Sequence, residues 1–519
     1  MLDARRPILP LGVSAMTTTQ EEATTARSVA PFARMPVFGI AALMAVPMAL
    51  TANNYGYFGD ELYFLAAGRH LAWGYVDQPP LLPLLARAMD AIAPDSLFVL
   101  RLPAMLAMLA GVVFAALVAR ELGGRTRAQA ITAATFAACT QFVASGHYLA
   151  TSTLDPFLWT VLLWLLVRWI RTRRDGLLLW AGIVTAFALY VKFLIGGFWI
   201  VAGIALLICG PRDLLRRPLL WAGAAIAALA LVPTLVWQAQ HGWPQLGMGA
   251  AISHEVGQSW GGRLTWIPQV LLLAGVPIGL VLLGYGLWRL LRSPRFRAYR
   301  FLAWTTLALA VVFIAVNGRS YYIAGMFAPC WAVAAVELEN GQAARWWRWI
   351  PTWPVFVLSA LLMLPAALPV WPHSWVEKNP SLPTPAFSFG EVGWPEAAQS
   401  VAKAFRGVPD PAHTAIVGET YWTASALDRY GPDLGLPEPT SPNRGYATLA
   451  VPPDSARDVL FVGADPRPLL GRFAHLEPVG AVTTGNAKPS VLDGTPMWLA
   501  TARLRPWAEI WPELANTGT

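Results

Sequence analysis

The sequence has little charge and few cysteines. Only 13% of its 519 residues are charged, whereas 56% are hydrophobic. Soluble domains usually carry about 25% charged residues, so a chain with half that share cannot cover a soluble surface, and an ordinary soluble enzyme is excluded. The three cysteines, Cys139, Cys209 and Cys330, all lie in apolar segments, which argues against a disulfide framework. The sequence therefore predicts a polytopic membrane protein.

Long apolar segments fill the middle of the chain and predict about eleven transmembrane helices. They lie near 36–52, 101–119, 128–143, 157–170, 177–191, 194–209, 219–237, 266–288, 301–316, 322–336 and 351–370. Every second connecting loop is rich in arginine, and the loops between them are not. Because cytoplasmic loops carry the excess of Lys and Arg, we expect the basic loops inside and the loop 53–100 outside the cytoplasm.

The two ends of the chain differ from its middle. Residues 1–36 are polar and predict a cytoplasmic tail, followed by a transmembrane domain over 37–371. From 372 onward the long apolar runs stop, and proline, glycine and acidic residues return. The segments 415–418 and 458–463 have the composition of short buried strands. We expect 372–519 to form a small extracytoplasmic α/β domain.

The loop 53–100 carries the most informative acidic residues. An adjacent pair, Asp60 and Glu61, follows the first span directly. Burial and like charge can raise the pKa of one such carboxyl towards neutral pH, which suits proton abstraction. The alternative is that both residues cap a juxtamembrane helix and face water. Asp77, before a Pro-Pro pair, is either a second functional carboxylate or part of a turn that precedes a helix.

Several short motifs occur in an order that resembles a known family. They are GDE (59–61), GYVDQPPLLPLLA (74–86), RLP (101–103), STLDP (152–156), ALYVKF (188–193) and RSYYIAGMFAP (319–329). Together, over roughly 36–335, the chain resembles the GT-C glycosyltransferases, in the family 39-like branch of protein O-mannosyltransferases and aminoarabinose transferases. These enzymes take a sugar from a polyprenyl-phosphate carrier outside the cytoplasm.

The resemblance implies roles for particular residues. In the family, the aspartate of the Asp-Glu pair is the candidate base, which corresponds to Asp60 with Glu61 beside it. The acidic residue before Pro-Pro corresponds to Asp77. A lysine at the outer end of the fifth span contacts the donor phosphate, and Lys192 matches it. A single displacement with inversion follows from the same resemblance.

Other residues are predicted to assist at the donor phosphate. Arg319 stands in an outer loop directly before Tyr321 and Tyr322. A fixed cation in a low-dielectric cleft stabilises the charge that develops on a departing phosphate. Arg319 and Tyr322 are therefore candidates for phosphate binding, and Tyr321 is a further candidate.

The sequence departs from the family at two positions. Relatives often carry arginine three residues after the aspartate, where this chain has Tyr63, and lysine before Pro-Pro, where it has Gln78. Phosphate contacts at these points must come from elsewhere, and Arg69, His70 or Arg319 are the candidates.

The roles of two further groups of residues remain open. Asp155, at a predicted outer membrane edge, is either functional or part of a helix start with proline at its first position. The loop 238–265 contains His241, His254 and Glu255, which need a further ligand to hold a metal. No cofactor is firmly predicted, and a divalent metal remains possible.

The predicted function is transfer of a sugar, with mannose as the first choice, from a polyprenyl-phosphate carrier to a protein, lipid or envelope glycan. The predicted partners are this donor, an extracytoplasmic acceptor and membrane lipids, without nucleic acid, at the inner or plasma membrane. The alternatives are a transporter or flippase of lipid-linked sugars and a non-catalytic assembly protein. Transporters usually show internal repeats and charges near the midplane, whereas the conspicuous charges of this sequence lie at outer span ends.

Overall fold

A computed structural model of the chain describes residues 29–342, 347, 349–379, 381–485 and 490–518. Most of the predicted tail over 1–36 lies outside the described residues. The helices are α1 Arg34–Thr51, α2 Gly59–Arg69, α3 Leu81–Ile92, α4 Leu97–Glu121, α5 Thr126–Ala137, α6 Thr140–Ser145, α7 Thr151–Thr172, α8 Gly176–Val191, α9 Leu194–Cys209, α10 Pro218–Gln240, α11 Gln245–Ser259, α12 Gly262–Leu273, α13 Ile278–Arg292, α14 Arg300–Ala315, α15 Phe327–Glu339, α16 Trp353–Ala367, α17 His373–Lys378, α18 Trp394–Arg406, α19 Tyr421–Tyr430 and α20 Trp507–Leu514. The strands are β1 Thr414–Gly418, β2 Asp458–Val462, β3 Phe473–Ala481 and β4 Pro496–Arg503.

Each of the eleven predicted apolar segments contains a helix. Within the described residues, six helices are long and apolar enough to cross a membrane, or seven if one bent pair counts as a single span. Shorter apolar helices of 10–17 residues, namely α8, α9 and α16, lie beside them. A helix rises about 1.5 Å per residue, so these three span less of a bilayer of about 30 Å. The chain is a multi-pass membrane protein.

Two of the predicted spans are not straight helices. The segment 266–288 is divided between α12 and α13, which meet at an angle of 106°. Gly275 between them has φ +96°, and Pro277 has no N–H to continue the α-helical hydrogen bonds. The segment 128–143 is likewise broken between α5 and α6 at Ala138 and Cys139. Apolar composition alone did not reveal these breaks.

The C-terminal region contains a four-stranded sheet in the order β1-β2-β4-β3. Strands β1 and β2 are parallel, and β4 runs antiparallel to both β2 and β3. The predicted strands at 415–418 and 458–463 correspond to β1 and β2. The expectation of a C-terminal α/β structure is thereby confirmed, whereas the exact domain boundary at 372 stays a prediction.

Helix α19 of this region packs against α2 of the first loop. The rings of Tyr421 and Tyr63 lie 5.0 Å apart, centroid to centroid. The indole of Trp422 lies against the Cα of Gly59, where any Cβ would overlap the ring. Glycine at the start of the GDE motif therefore permits the C-terminal region to close onto the loop that carries Asp60.

Candidate active site

A cleft of about 580 Å³ lies between the first loop, the ends of several bundle helices and the C-terminal region. Six of the residues singled out from the sequence line it: Asp60, Asp77, Gln78, Lys192, Arg319 and Tyr322. Tyr63, Tyr421 and Arg444 line it as well. Residues separated by almost 400 positions in the sequence thus share one cavity.

Asp60 is held in a defined orientation at the start of α2. Its Oδ1 accepts hydrogen bonds from the hydroxyl of Tyr421 and from Nε1 of Trp422, both at 2.8 Å. Among the described residues, no hydrogen bond reaches Oδ2. A half-buried carboxylate with one oxygen anchored and one oxygen unoccupied is suited to accept a proton from a bound hydroxyl group.

Asp77 is a second carboxyl group in the cleft. Its Oδ1 accepts a hydrogen bond of 2.8 Å from the hydroxyl of Tyr63. Burial raises the pKa of Asp77, while Arg444 and the Tyr63 hydrogen bond oppose that rise. Asp60 acts on Asp77 in the same direction as burial, because two nearby negative charges disfavour each other.

Lys192 directly follows α8 and faces two aromatic rings. Its Nζ lies 4.1 Å from the ring centroid of Tyr322 and 5.4 Å from that of Tyr321. Contacts of this kind orient a cation without neutralising its charge. Lys192 therefore remains able to bind an anion in the cleft.

A carboxylate connects the two arginines of the cleft. Glu255 of α11 accepts hydrogen bonds from Nη2 of Arg319 at 2.6 and 2.8 Å and from Nη2 of Arg444 at 3.0 Å. The three side chains are only 9–21% exposed. One carboxylate thus holds two guanidinium groups side by side. Its engagement with both arginines argues against the metal-ligand role considered for Glu255.

Glu61 lies outside the cleft, in a buried ion pair. Nη2 of Arg101 donates to Glu61 Oε2 at 2.8 Å, and both side chains are fully buried. The carboxylate also accepts from the backbone N–H groups of Phe58 and Leu149, both at 2.9 Å. Adjacent residues on a helix point about 100° apart, which explains why Asp60 faces the cleft while Glu61 faces the interior. Glu61 thus contacts Arg101 rather than the cleft, and its predicted catalytic role stays a prediction.

Arg69 and His70 do not line the cleft, although the sequence made them candidates for the missing phosphate contacts. Arg69 ends α2, about 14 Å along the helix from Asp60, and pairs with Asp428. Both Arg69 and His70 are exposed. Neither residue is positioned to contact a phosphate bound in the cleft.

Asp155 is buried in α7 and accepts a hydrogen bond of 3.1 Å from Nε1 of Trp159. It does not line the cleft, and it attracts Lys192 electrostatically. In the part of the chain that the structure describes, no group of three His, Cys, Asp or Glu side chains is arranged to hold a metal ion.

Sequence reasoning missed the contribution of the C-terminal region. Tyr421, Trp422 and Arg444 all belong to the segment predicted as a separate α/β domain. Tyr421 and Trp422 nevertheless contact Asp60, and Arg444 lines the cleft and contacts Tyr421. None of them stands in a motif of the family. The only local signal was the glycine of the GDE motif, which indicates a close approach without identifying its partner.

The comparisons with known proteins agree with this architecture. The protein-family model described as "Dolichyl-phosphate-mannose-protein mannosyltransferase" matches residues 77–237. ArnT from Cupriavidus metallidurans in the apo state is similar in structure at 15% identity, with a TM-score of 0.57 over 89% of this chain and 97% of that chain. The chain has the fold of the GT-C glycosyltransferases. ArnT from the same organism bound to undecaprenyl phosphate matches this chain at 16% identity, with a TM-score of 0.53 and the same coverage. No curated protein sequence matches it.

At 15–16% identity, the likeness to ArnT establishes the GT-C fold and nothing finer. The matched region 77–237 includes Asp77 and Lys192 of the cleft. The other cleft residues, Asp60, Arg319 and Arg444, lie outside it.

Proposed function

We propose that this protein transfers a sugar from a polyprenyl-phosphate carrier to an acceptor hydroxyl group at the cleft. One observation carries the proposal: carboxylates (Asp60, Asp77) and cations (Lys192, Arg319) line the same cavity. Glycosyl transfer from a lipid phosphate needs a group that accepts a proton and groups that stabilise a departing phosphate. The cleft contains both sets of groups within one cavity.

The proposed step is a single displacement. The acceptor oxygen attacks the anomeric carbon of the sugar and forms the new glycosidic bond while the bond from that carbon to the phosphate oxygen breaks. The hydroxyl proton passes to Oδ2 of Asp60, and the phosphate keeps the electron pair of the broken bond. Lys192 and Arg319 balance the charge on the released polyprenyl phosphate, and attack from the opposite side inverts the anomeric configuration.

Mannose is the first candidate for the sugar, because the matching family model is described as a mannosyltransferase that uses dolichyl-phosphate-mannose. ArnT from Cupriavidus metallidurans binds undecaprenyl phosphate in one of its crystal structures, which supports a polyprenyl-phosphate donor for this chain. The acceptor is a hydroxyl group of a protein, a lipid or an envelope glycan.

We further propose that the cleft and the C-terminal region face away from the cytoplasm, because the basic loops lie at the opposite ends of the predicted spans. Asp95 and Asp433 are exposed positions, one in the first loop and one in the C-terminal region. With Cys209 replaced by alanine, Asp95→Cys and Asp433→Cys should both react with an impermeant thiol reagent in right-side-out vesicles. Reaction of only one would contradict the shared orientation.

The proposed function is tested with the purified protein in nanodiscs and radiolabelled undecaprenyl-phosphate mannose. A transferase releases labelled sugar from the lipid in the presence of an acceptor, and Asp60→Asn abolishes that release. A flippase moves the intact lipid across the bilayer of a vesicle without cleaving the sugar–phosphate bond. Translocation of intact donor without cleavage would therefore contradict the proposal and favour the alternative.

A further inference from the structure

In the family that the sequence resembles, lysine often stands before the Pro-Pro pair, where this cleft has an uncharged residue. Gln78 occupies that position, lines the cleft and is only 6% exposed. An amide donates hydrogen bonds but supplies no charge, and its Nε2 has no hydrogen-bond partner among the described residues. Because an anion in a low-dielectric site is costly unless it is paired, a phosphate bound here needs a cation from another part of the chain.

Arg444 reaches the cleft beside this position. The backbone of the next residue, Gly445, lies against the Tyr63 hydroxyl and Asp77, so that a Cβ at 445 would stand 2.8 Å from Asp77 Oδ1. Asp77 directly precedes Gln78. The backbone beside Arg444 therefore lies next to the part of the first loop that carries Gln78, and the side chains of Arg444 and Gln78 line the same cavity.

The backbone at Arg444 is strained. Its φ of +49° lies in the left-handed region, which costs a residue other than glycine free energy and persists only where the surroundings impose it. Here its N–H donates to the carbonyl oxygen of Asn516 at 2.7 Å. Strain of this kind is concentrated at functional sites, and at this position it directs a positively charged side chain into a cavity.

The side chain of Arg444 is oriented by Glu255, and Asp77 attracts it as well. Glu255 binds Nη2 of Arg444 and also Nη2 of Arg319, so one negative charge is shared between two positive ones. Nε of both arginines is buried and has no hydrogen-bond partner among the described residues. These N–H groups and the amide of Gln78 are unpaired donors of residues that line one cavity, and the oxygens of a phosphate are suitable acceptors.

We propose that Arg444 binds the donor phosphate and supplies the charge that the lysine of relatives supplies at position 78, with Glu255 as its positioning residue. This inference rests on the proposed function, because it assumes a polyprenyl-phosphate donor. It assigns part of the donor site to the C-terminal region, so the transmembrane helices and first loop alone form an incomplete phosphate site.

The test compares the affinity of the full chain for undecaprenyl phosphate with its affinity for undecaprenol. The ratio of the two affinities isolates recognition of the phosphate from that of the lipid chain. Arg444→Asn removes the charge and retains a residue that tolerates a positive φ. The loss of a charge-assisted contact should lower the ratio about 10- to 100-fold. Arg457→Asn, at an exposed arginine of the same region, is the matched control and should leave it unchanged.

A rescue experiment separates phosphate binding from a purely structural role. Gln78→Lys in the Arg444→Asn background should restore most of the ratio, since it returns a cation to the same place, and Arg444→Lys should retain most of it. Glu255→Gln should lower the ratio less than Arg444→Asn does. Loss of thermal stability in Arg444→Asn without rescue by Gln78→Lys would overturn the assignment in favour of a structural arginine.

The outcomes also distinguish this inference from the proposed function. If Lys192→Ala lowers the ratio while Arg444→Asn leaves it unchanged, Arg444 does not bind the phosphate, and the proposed function stands. If neither substitution lowers the ratio, the phosphate site itself is not in this cleft, and both proposals fail.

Discussion

Asp60→Asn is the substitution that tests the chemistry of the cleft most directly. Both donors to Asp60, the Tyr421 hydroxyl and Trp422 Nε1, converge on Oδ1. An asparagine side chain presents an oxygen to the same two donors and places its NH₂ group where Oδ2 stood. The substitution therefore preserves the shape and the hydrogen bonds of residue 60 and removes its negative charge together with its ability to accept a proton.

The expected loss of transfer rate follows because asparagine keeps the hydrogen bonds of residue 60 but cannot act as a base. General-base catalysis contributes about 100- to 10,000-fold, which corresponds to about 2.7–5.5 kcal/mol of transition-state stabilisation. The free energy of unfolding should change little, because no donor loses its partner. Asp60→Ala differs in both respects, since it leaves two buried donors unpaired, each at a cost of about 1–3 kcal/mol.

The assay measures sugar transfer, undecaprenyl phosphate binding and thermal stability for Asp60→Asn, Asp60→Ala and the control Asp90→Asn. Asp60→Asn should lose transfer but keep lipid binding and melting temperature, and Asp60→Ala should lose stability as well. If Asp60→Asn remains active while Asp77→Asn is inactive, the base is Asp77, and the reasoning from the free Oδ2 is wrong.

Three further predictions concern the surroundings of the cleft. Tyr63→Phe removes a hydrogen bond that lowers the pKa of Asp77, so the pKa of Asp77 should rise further. The acidic limb of the pH profile of sugar transfer should then move to higher pH, and an unchanged limb would exclude Asp77 as the origin of that limb. Glu61→Ala removes the carboxylate that pairs with the buried guanidinium of Arg101 and should lower the free energy of unfolding by about 3–5 kcal/mol. Thermal melting measures this loss with Asp90→Asn as control, and a stable but inactive variant would indicate a catalytic role for Glu61. Gly445→Ala places a methyl group against Tyr63 and Asp77 and should lower the free energy of unfolding by about 1–3 kcal/mol. Gly249→Ala, on α11 with open space around it, should cause no loss of stability. Equal melting temperatures of the two variants would contradict the close approach at Gly445.

Local patterns determined much of the fold. Hydropathy identified all eleven helical segments, because a membrane span is selected by the apolar character of its own residues. The strands at 415–418 and 458–463 were likewise predictable, since short apolar runs between turn residues favour buried strands. The breaks near Gly275 and Ala138 were missed, because a bend depends on backbone geometry and on neighbouring helices rather than on hydropathy.

The candidate site was also predictable in part: several of its residues from the sequence, their arrangement only from the tertiary structure. Asp60, Asp77, Lys192 and Arg319 were found from short motifs, because each stands at a span end or in the first loop. Their convergence on one cleft was a hypothesis that needed the tertiary arrangement. Tyr321 and Tyr322 were placed beside the cations by sequence order, and the structure adds that their rings face Lys192.

By itself the sequence determined that this is a membrane protein with acidic and basic residues at the ends of its spans, because those properties reside in short segments. Only the tertiary structure decided that Glu61 is an interior anchor and that Arg444 and Tyr421 belong to the cleft. The hydrogen bond from Tyr421 to Asp60 joins residues 361 positions apart. No local pattern encodes such a contact, because it depends on how the C-terminal region packs onto the first loop.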